Sequence, residues 1–141
     1  ENYRRFVMPF ERRVTEAVHA EGSPVYVHTC GAIGDRLELM AEAGMDGIDT
    51  LDPPPLGTVD LAGAKARVGD RVFFKGNMDP VNTLLNGTPE ALLADARRRI
   101  EIGMPGGGYI LSTACSVAPR TPPENIKVLL QAVETYGRYG E

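Results

Sequence analysis

The sequence predicts an α/β fold in which one leading helix is followed by four strand-then-helix units. Three observations carry this. Four short apolar runs each give way to a stretch of helical periodicity. Strands alternating with helices pair in parallel through right-handed crossovers. The runs are largely apolar along their whole length, which suits a sheet covered on both sides or closed into a barrel. The 141 residues, 43% hydrophobic and 24% charged, fit one globular domain over 1–141.

Residues 2 to about 21 read as a helix, because Tyr3, Phe6, Phe10, Val14 and Val18 make one apolar stripe. Pro9 should kink it or delay its start, and Gly22 should stop it. The first unit is Val25–Cys30 with a helix from about Ile33 to Ala43. The second is Gly47–Leu51, a Pro53-Pro54-Pro55 loop, and a helix from about Val59 to Val68. The third is Val72–Asn77 and a helical region from about Val81 to Ile102, interrupted near Asn86-Gly87. A fresh start is expected there, with Thr88 as N-cap and Pro89 at the first helical position. The fourth is Tyr109–Cys115 and a helix from about Pro122 to Tyr136, opened by Thr121-Pro122-Pro123-Glu124 as a capping box.

The net charge of −4 gives no general attraction to nucleic acid or to an anionic membrane. No apolar run approaches the ~20 residues that span a bilayer. The polar start, Glu1-Asn2-Tyr3-Arg4-Arg5, does not read as a signal peptide, and a first residue other than methionine suggests a processed or partial product. Two cysteines could make one disulfide. Their spacing does not suggest a secreted framework, so free thiols and a cytoplasmic location are expected.

Chemistry-bearing residues gather after the strands: His28, Cys30, Asp52, Asn77, Asp79 and Cys115. That end is the catalytic face of a β/α barrel and the ligand edge of a doubly wound sheet. The first strand lacks a full glycine-rich dinucleotide fingerprint. Strand alternation puts His28 and Cys30 on one face, where an imidazole and a thiolate can hold zinc. Cys115 ends another strand and is the expected third ligand. Asn77, Asp79 and Asp49 are candidate substrate contacts. Against these stand plainer readings: Asp79 as a helix cap, Asp49 and Asp52 as turn formers. His19 and Arg97-Arg98-Arg99 read as surface residues, and Gly106-Gly107-Gly108 as a helix-to-strand turn.

Phe6-Val7-Met8-Pro9-Phe10, Gly47-Ile48-Asp49-Thr50, Lys75-Gly76-Asn77-Met78-Asp79-Pro80 and the last strand and helix resemble the C-terminal half of the uroporphyrinogen decarboxylase superfamily. The resemblance covers nearly the whole chain. It implies strands five to eight of a (β/α)8 TIM barrel, a partial domain whose N-terminal half is missing. Such a half would pair with that N-terminal half-barrel or with a second copy, because open strand edges invite pairing. His28-Thr29-Cys30 with the distant Cys115 is similar to the zinc motif of the methylcobalamin:coenzyme M methyltransferase branch. The resemblance implies a zinc that holds a small thiol substrate and a methylated corrinoid, or a corrinoid protein, as methyl donor. Porphyrinogen decarboxylases carry a histidine in an Asn-Leu-Gly-His-Gly stretch of the last strand, where this chain has Ser112-Thr113-Ala114-Cys115-Ser116. Decarboxylation of a tetrapyrrole or related polycarboxylate is the alternative activity. An inactive fragment that needs its N-terminal half is the third reading.

Overall fold

The computed structural model describes residues 1–139, so the last two positions of the expected 1–141 domain lie outside the described residues. Its framework is a four-stranded parallel sheet in the order β1-β2-β3-β4, formed by Tyr26–Thr29, Gly47–Thr50, Phe73–Met78 and Tyr109–Thr113. Each strand is followed by a helix, as expected: α3 (Leu37–Glu42), α4 (Leu61–Val68), α5 (Pro89–Gly103) and α6 (Pro123–Tyr136). The register aligns His28 with Asp49, Asp49 with Lys75, and Lys75 with Ile110. Paired residues share a face, so this row lies on one side of the sheet.

The opposite side packs on the helices. Ile48, Leu51 and Phe74 meet Leu37, Met40 and Val68 in one apolar cluster. Met78 and Leu84 meet Leu92, Ile100, Val128 and Ala132 in a second. Burying a side chain such as Phe74, 1% exposed, contributes ~1.5–3 kcal/mol, so these clusters fix the sheet on its helical layer.

The leading segment is two helices rather than one. α1 (Asn2–Phe6) ends at Val7, and α2 (Met8–Ala20) begins with Pro9 in its first turn. Proline lacks the N–H that would continue the first helix. Only part of the expected apolar stripe faces the core: Tyr3 packs against the first cluster, whereas Phe6, Phe10 and Val14 are all more than half exposed and Met8 and Thr15 are buried instead. An apolar groove of about 640 Å³ runs along Phe10, Val14, Ala17 and Val18.

The break before α5 is as expected, with Thr88 Oγ1 accepting from Ala91 N at 3.3 Å. A single π-helical turn, Pro80–Leu85, precedes it. The capping box at Thr121 does not form. Pro122 is the N-cap of α6, no side chain caps it, and the buried Thr121 hydroxyl has no protein partner. Pro123 has no N–H to offer, and the chain enters the helix one residue late. Gly106, Gly107 and Gly108 form the expected turn, all at φ near +70° to +80°, and Lys65 Nζ donates to the Gly107 carbonyl at 2.6 Å.

Candidate metal centre

β1 ends one residue before Cys30, and β4 ends two residues before Cys115. In a flat sheet these outer strands would lie ~14 Å apart. Curvature and the two short loops bring their thiols together: Cys30 Sγ is 3.9 Å from Cys115 Sγ and 3.6 Å from His28 Nε2. All three donor atoms lie within 4.8 Å of one another. Both cysteines are free thiols. The three expected metal ligands therefore converge.

Their spacing fits zinc. Tetrahedral bonds of ~2.3 Å to sulfur and ~2.0 Å to nitrogen put two sulfurs ~3.8 Å apart and a sulfur ~3.5 Å from a nitrogen. The observed 3.9 and 3.6 Å agree to a tenth of an ångström or so. Two soft sulfurs and one imidazole are also a donor set that zinc favours. Loss of solvent around the sulfur raises the Cys30 thiol, and the Cys115 sulfur and Asp52 carboxylate raise it further, against a lowering by the Thr50 hydroxyl. A bound cation would reverse that balance, because coordination deprotonates a thiol.

The imidazole is held from behind. His28 Nδ1 is 2.9 Å from Asp49 Oδ2, which leaves Nε2 as the nitrogen directed at Cys30. A carboxylate taking the second ring N–H is the usual way to fix a metal-binding histidine. Asp49 is itself buried, and Lys75 Nζ donates to its Oδ1 at 2.9 Å. Burial alone would raise the Asp49 carboxyl. Hydrogen bonds from His28 and Lys75, with the Lys75 charge, outweigh burial and hold it below the usual carboxylate range. The Thr50 hydroxyl sits 3.2 Å from Nδ1 and 3.4 Å from Nε2 of His28.

Under this row lies an aromatic floor. Tyr26 and Phe73 pack edge to face with centroids 5.8 Å apart, and Lys75 Nζ lies 5.8 Å from the centre of the Tyr26 ring. Gly47 stands between them in register. A Cβ there would come within 2.4 Å of Phe73 Cζ, so the ring would have to shift to admit it.

The backbone just past β2 is unusual. Thr50 has φ +93° and Leu51 φ +47°, values that side-chain-bearing residues rarely adopt. Such outliers collect at functional sites when their surroundings hold them. Here Asn77 Nδ2 donates to the Leu51 carbonyl at 3.0 Å, and the Asp52 carboxylate accepts from Gly31 N at 2.5 Å. Asp52 thus ties the turn after β2 to the turn after β1, as its turn-forming reading expects.

Two expected substrate contacts are placed otherwise. Asn77 is 1% exposed and faces the helical layer, where its Oδ1 accepts from Arg99. Strand alternation breaks at Gly76, φ +138°, and Asn77 turns inward with it. Asp79 caps the π-helical turn, its Oδ1 accepting from Val81 N and Asn82 N at 2.8 Å each, while Oδ2 takes the Asn82 amide. Asp49 does lie in the site, but it touches His28 and Lys75. Arg99 is another correction: it is buried, ion-paired to Asp95 at 2.6 Å and bonded to the Asn77 carbonyl at 2.8 Å, whereas Arg97 and Arg98 are exposed as expected. His19 is at the surface, paired with Asp46 at 2.7 Å. Lys75 and Thr50 were not legible as site residues from their own neighbours. Aligning the strands in parallel register would have found Lys75, since it falls in the row of His28 and Asp49.

A Nocardioides protein named Uroporphyrinogen decarboxylase is 39% identical over 139 residues, covering 97% of this chain and 37% of its own length. Methylcobamide:CoM methyltransferase MtbA of Methanosarcina acetivorans is 26% identical, with 96% and 37% covered. The solved structure of a methyltransferase from Methanosarcina mazei superposes with a TM-score of 0.81 at 26% identity, covering 96% of this chain and 37% of that one. The chain thus spans a little over a third of the relatives it matches, and its four βα units are half of a β/α barrel. Among the described residues, no helix is long and apolar enough to cross a membrane. The model of the uroporphyrinogen decarboxylase (URO-D) family matches residues 1–136, and the chain belongs to that family.

Proposed function

We propose that this chain carries the zinc site of a methyltransferase that moves a methyl group from a methylated corrinoid to a small thiol. One observation carries the reading: Cys30 Sγ stands 3.6 Å from His28 Nε2 and 3.9 Å from Cys115 Sγ, two edges close to those of a zinc tetrahedron, with all three ligand atoms within 4.8 Å of one another. When bound, zinc would supply the charge that keeps a thiol substrate as its thiolate, with no separate general base. The three side chains would hold the metal, Asp49 would fix the His28 ring, and a fourth position would stay free for the substrate sulfur. The relative named as a methylcobamide:CoM methyltransferase supports the same donor chemistry.

A second reading, decarboxylation of a tetrapyrrole-like polycarboxylate, is favoured by the higher identity to the Nocardioides relative. The cysteine at position 115, beside two further metal donors, favours methyl transfer instead. The chain's share of the barrel bears on either activity. A second half-barrel, from an N-terminal half or another copy, would complete the substrate cavity, and the isolated chain is expected to bind zinc without turning over.

Zinc content under reducing conditions tests the reading. Close to one equivalent is expected, with X-ray absorption showing two sulfur neighbours and one nitrogen. Less than about half an equivalent, unrestored by added zinc, overturns it.

A further inference from the structure

We propose that Lys75 is a positioning residue for the His28 ligand, acting through Asp49. This rests on the zinc reading above and extends it by one residue. Lys75, Asp49 and His28 occupy one register row on three adjacent strands and face the same side. The two oxygens of Asp49 divide the work: Oδ1 accepts from Lys75 Nζ at 2.9 Å and Oδ2 from His28 Nδ1 at 2.9 Å. A carboxylate held at one oxygen by a fixed ammonium cannot rotate freely, so the other oxygen meets the imidazole in one orientation. That orientation makes Nδ1 the protonated nitrogen and presents the Nε2 lone pair to the two thiols, 3.6 Å from the nearer one.

The lysine is itself confined. Its ammonium lies 5.8 Å from the centre of the Tyr26 ring, and that ring is braced by Phe73. Its register partner on the far side, Ile110, has no charge with which to compete for it. Lys75 is partly exposed, with 30% of its side-chain surface open, so it is not needed to fill the core. A charged residue in that place is explained by what it holds.

The test compares Lys75→Met and Lys75→Arg with the unaltered chain. The sequence has only two histidines, so ¹⁵N-labelled imidazole signals are few. In the metal-free protein, the neutral His28 ring should carry its proton on Nδ1. Lys75→Met should shift the ring nitrogens toward a mixture of tautomers and weaken zinc binding, measured against a chromophoric chelator, about tenfold. Lys75→Arg should restore both. Should Lys75→Met not fold, Lys75→Leu, which also removes both the donor and the charge, is measured in its place with the same expectation. Unchanged ring nitrogens in Lys75→Met overturn the proposal, whether or not zinc affinity moves, because a bare charge effect is not positioning. If the unaltered chain binds no zinc while its His28 tautomer still depends on Lys75, the positioning stands and the zinc reading falls.

Discussion

Gly47→Ala is the substitution whose cost follows most directly from the geometry. An added Cβ would stand 2.4, 2.5 and 2.6 Å from three atoms of the Phe73 ring. Ordinary contact begins near 3.4 Å, so the ring must retreat by about 1 Å. Phe73 is braced by Tyr26, so the movement disturbs the aromatic pair as well. Overpacking of this kind costs ~1–3 kcal/mol, and a disturbed aromatic pair forfeits part of a further ~0.5–1.5 kcal/mol. At about 2–4 °C per kcal/mol for a chain near this length, Tm should fall by about 3–10 °C. Thermal unfolding by circular dichroism reads it. Adding Phe73→Leu, which removes the ring, should recover at least half the loss, an interaction of about 1 kcal/mol in the double-mutant cycle. An unchanged Tm for Gly47→Ala, or strict additivity with Phe73→Leu, would refute the account of the aromatic floor.

Two other outcomes are expected. Arg99→Met removes one of the two arginine partners of Asp95, Arg98 remaining, and the donor to the Asn77 carbonyl, while filling similar volume; the loss should be ~1.5–3 kcal/mol in urea unfolding, and an effect under 1 kcal/mol would show the pair to be solvated. Asp49 has its folded carboxyl held below the unfolded value, so its stabilising contribution is present above about pH 4 and is lost as pH falls through the lower, folded value. Urea unfolding of the metal-free chain from pH 7 to pH 3 should therefore show a shallower acid loss in Asp49→Asn than in the unaltered chain; identical pH slopes would remove Asp49 from the linkage.

The convergence of His28, Cys30 and Cys115 was legible from local rules. His28 lies in the first strand and Cys30 one residue past it, while Cys115 follows the last strand of the same parallel sheet by two residues. Asn77 was misread because strand alternation fails at Gly76, where the backbone enters a region that only glycine adopts easily. Arg99 looked solvated beside two other arginines, yet helical spacing carries it under the sheet to the Asn77 carbonyl. The stripe from Tyr3 to Val18 has the period of a core face, but its members Phe6, Phe10 and Val14 are more than half exposed. Periodicity reports that a face is apolar; it cannot report which body covers it. Lys75 was missed because its meaning lies in register, which single strands do not display.

The three donors sit at the ends of the first and last strands of the sheet, with Cys30 and Cys115 85 positions apart in sequence. Any ion gripping all of them acts as a chord across the arc, tying its two free rims to each other. A covalent link over a span of that size restricts the unfolded chain by ~4–5 kcal/mol, and a firmly held metal acts in the same sense. Occupancy of the centre would then be felt at both outer strands, so curvature of the sheet and retention of the ion become two readings of one equilibrium.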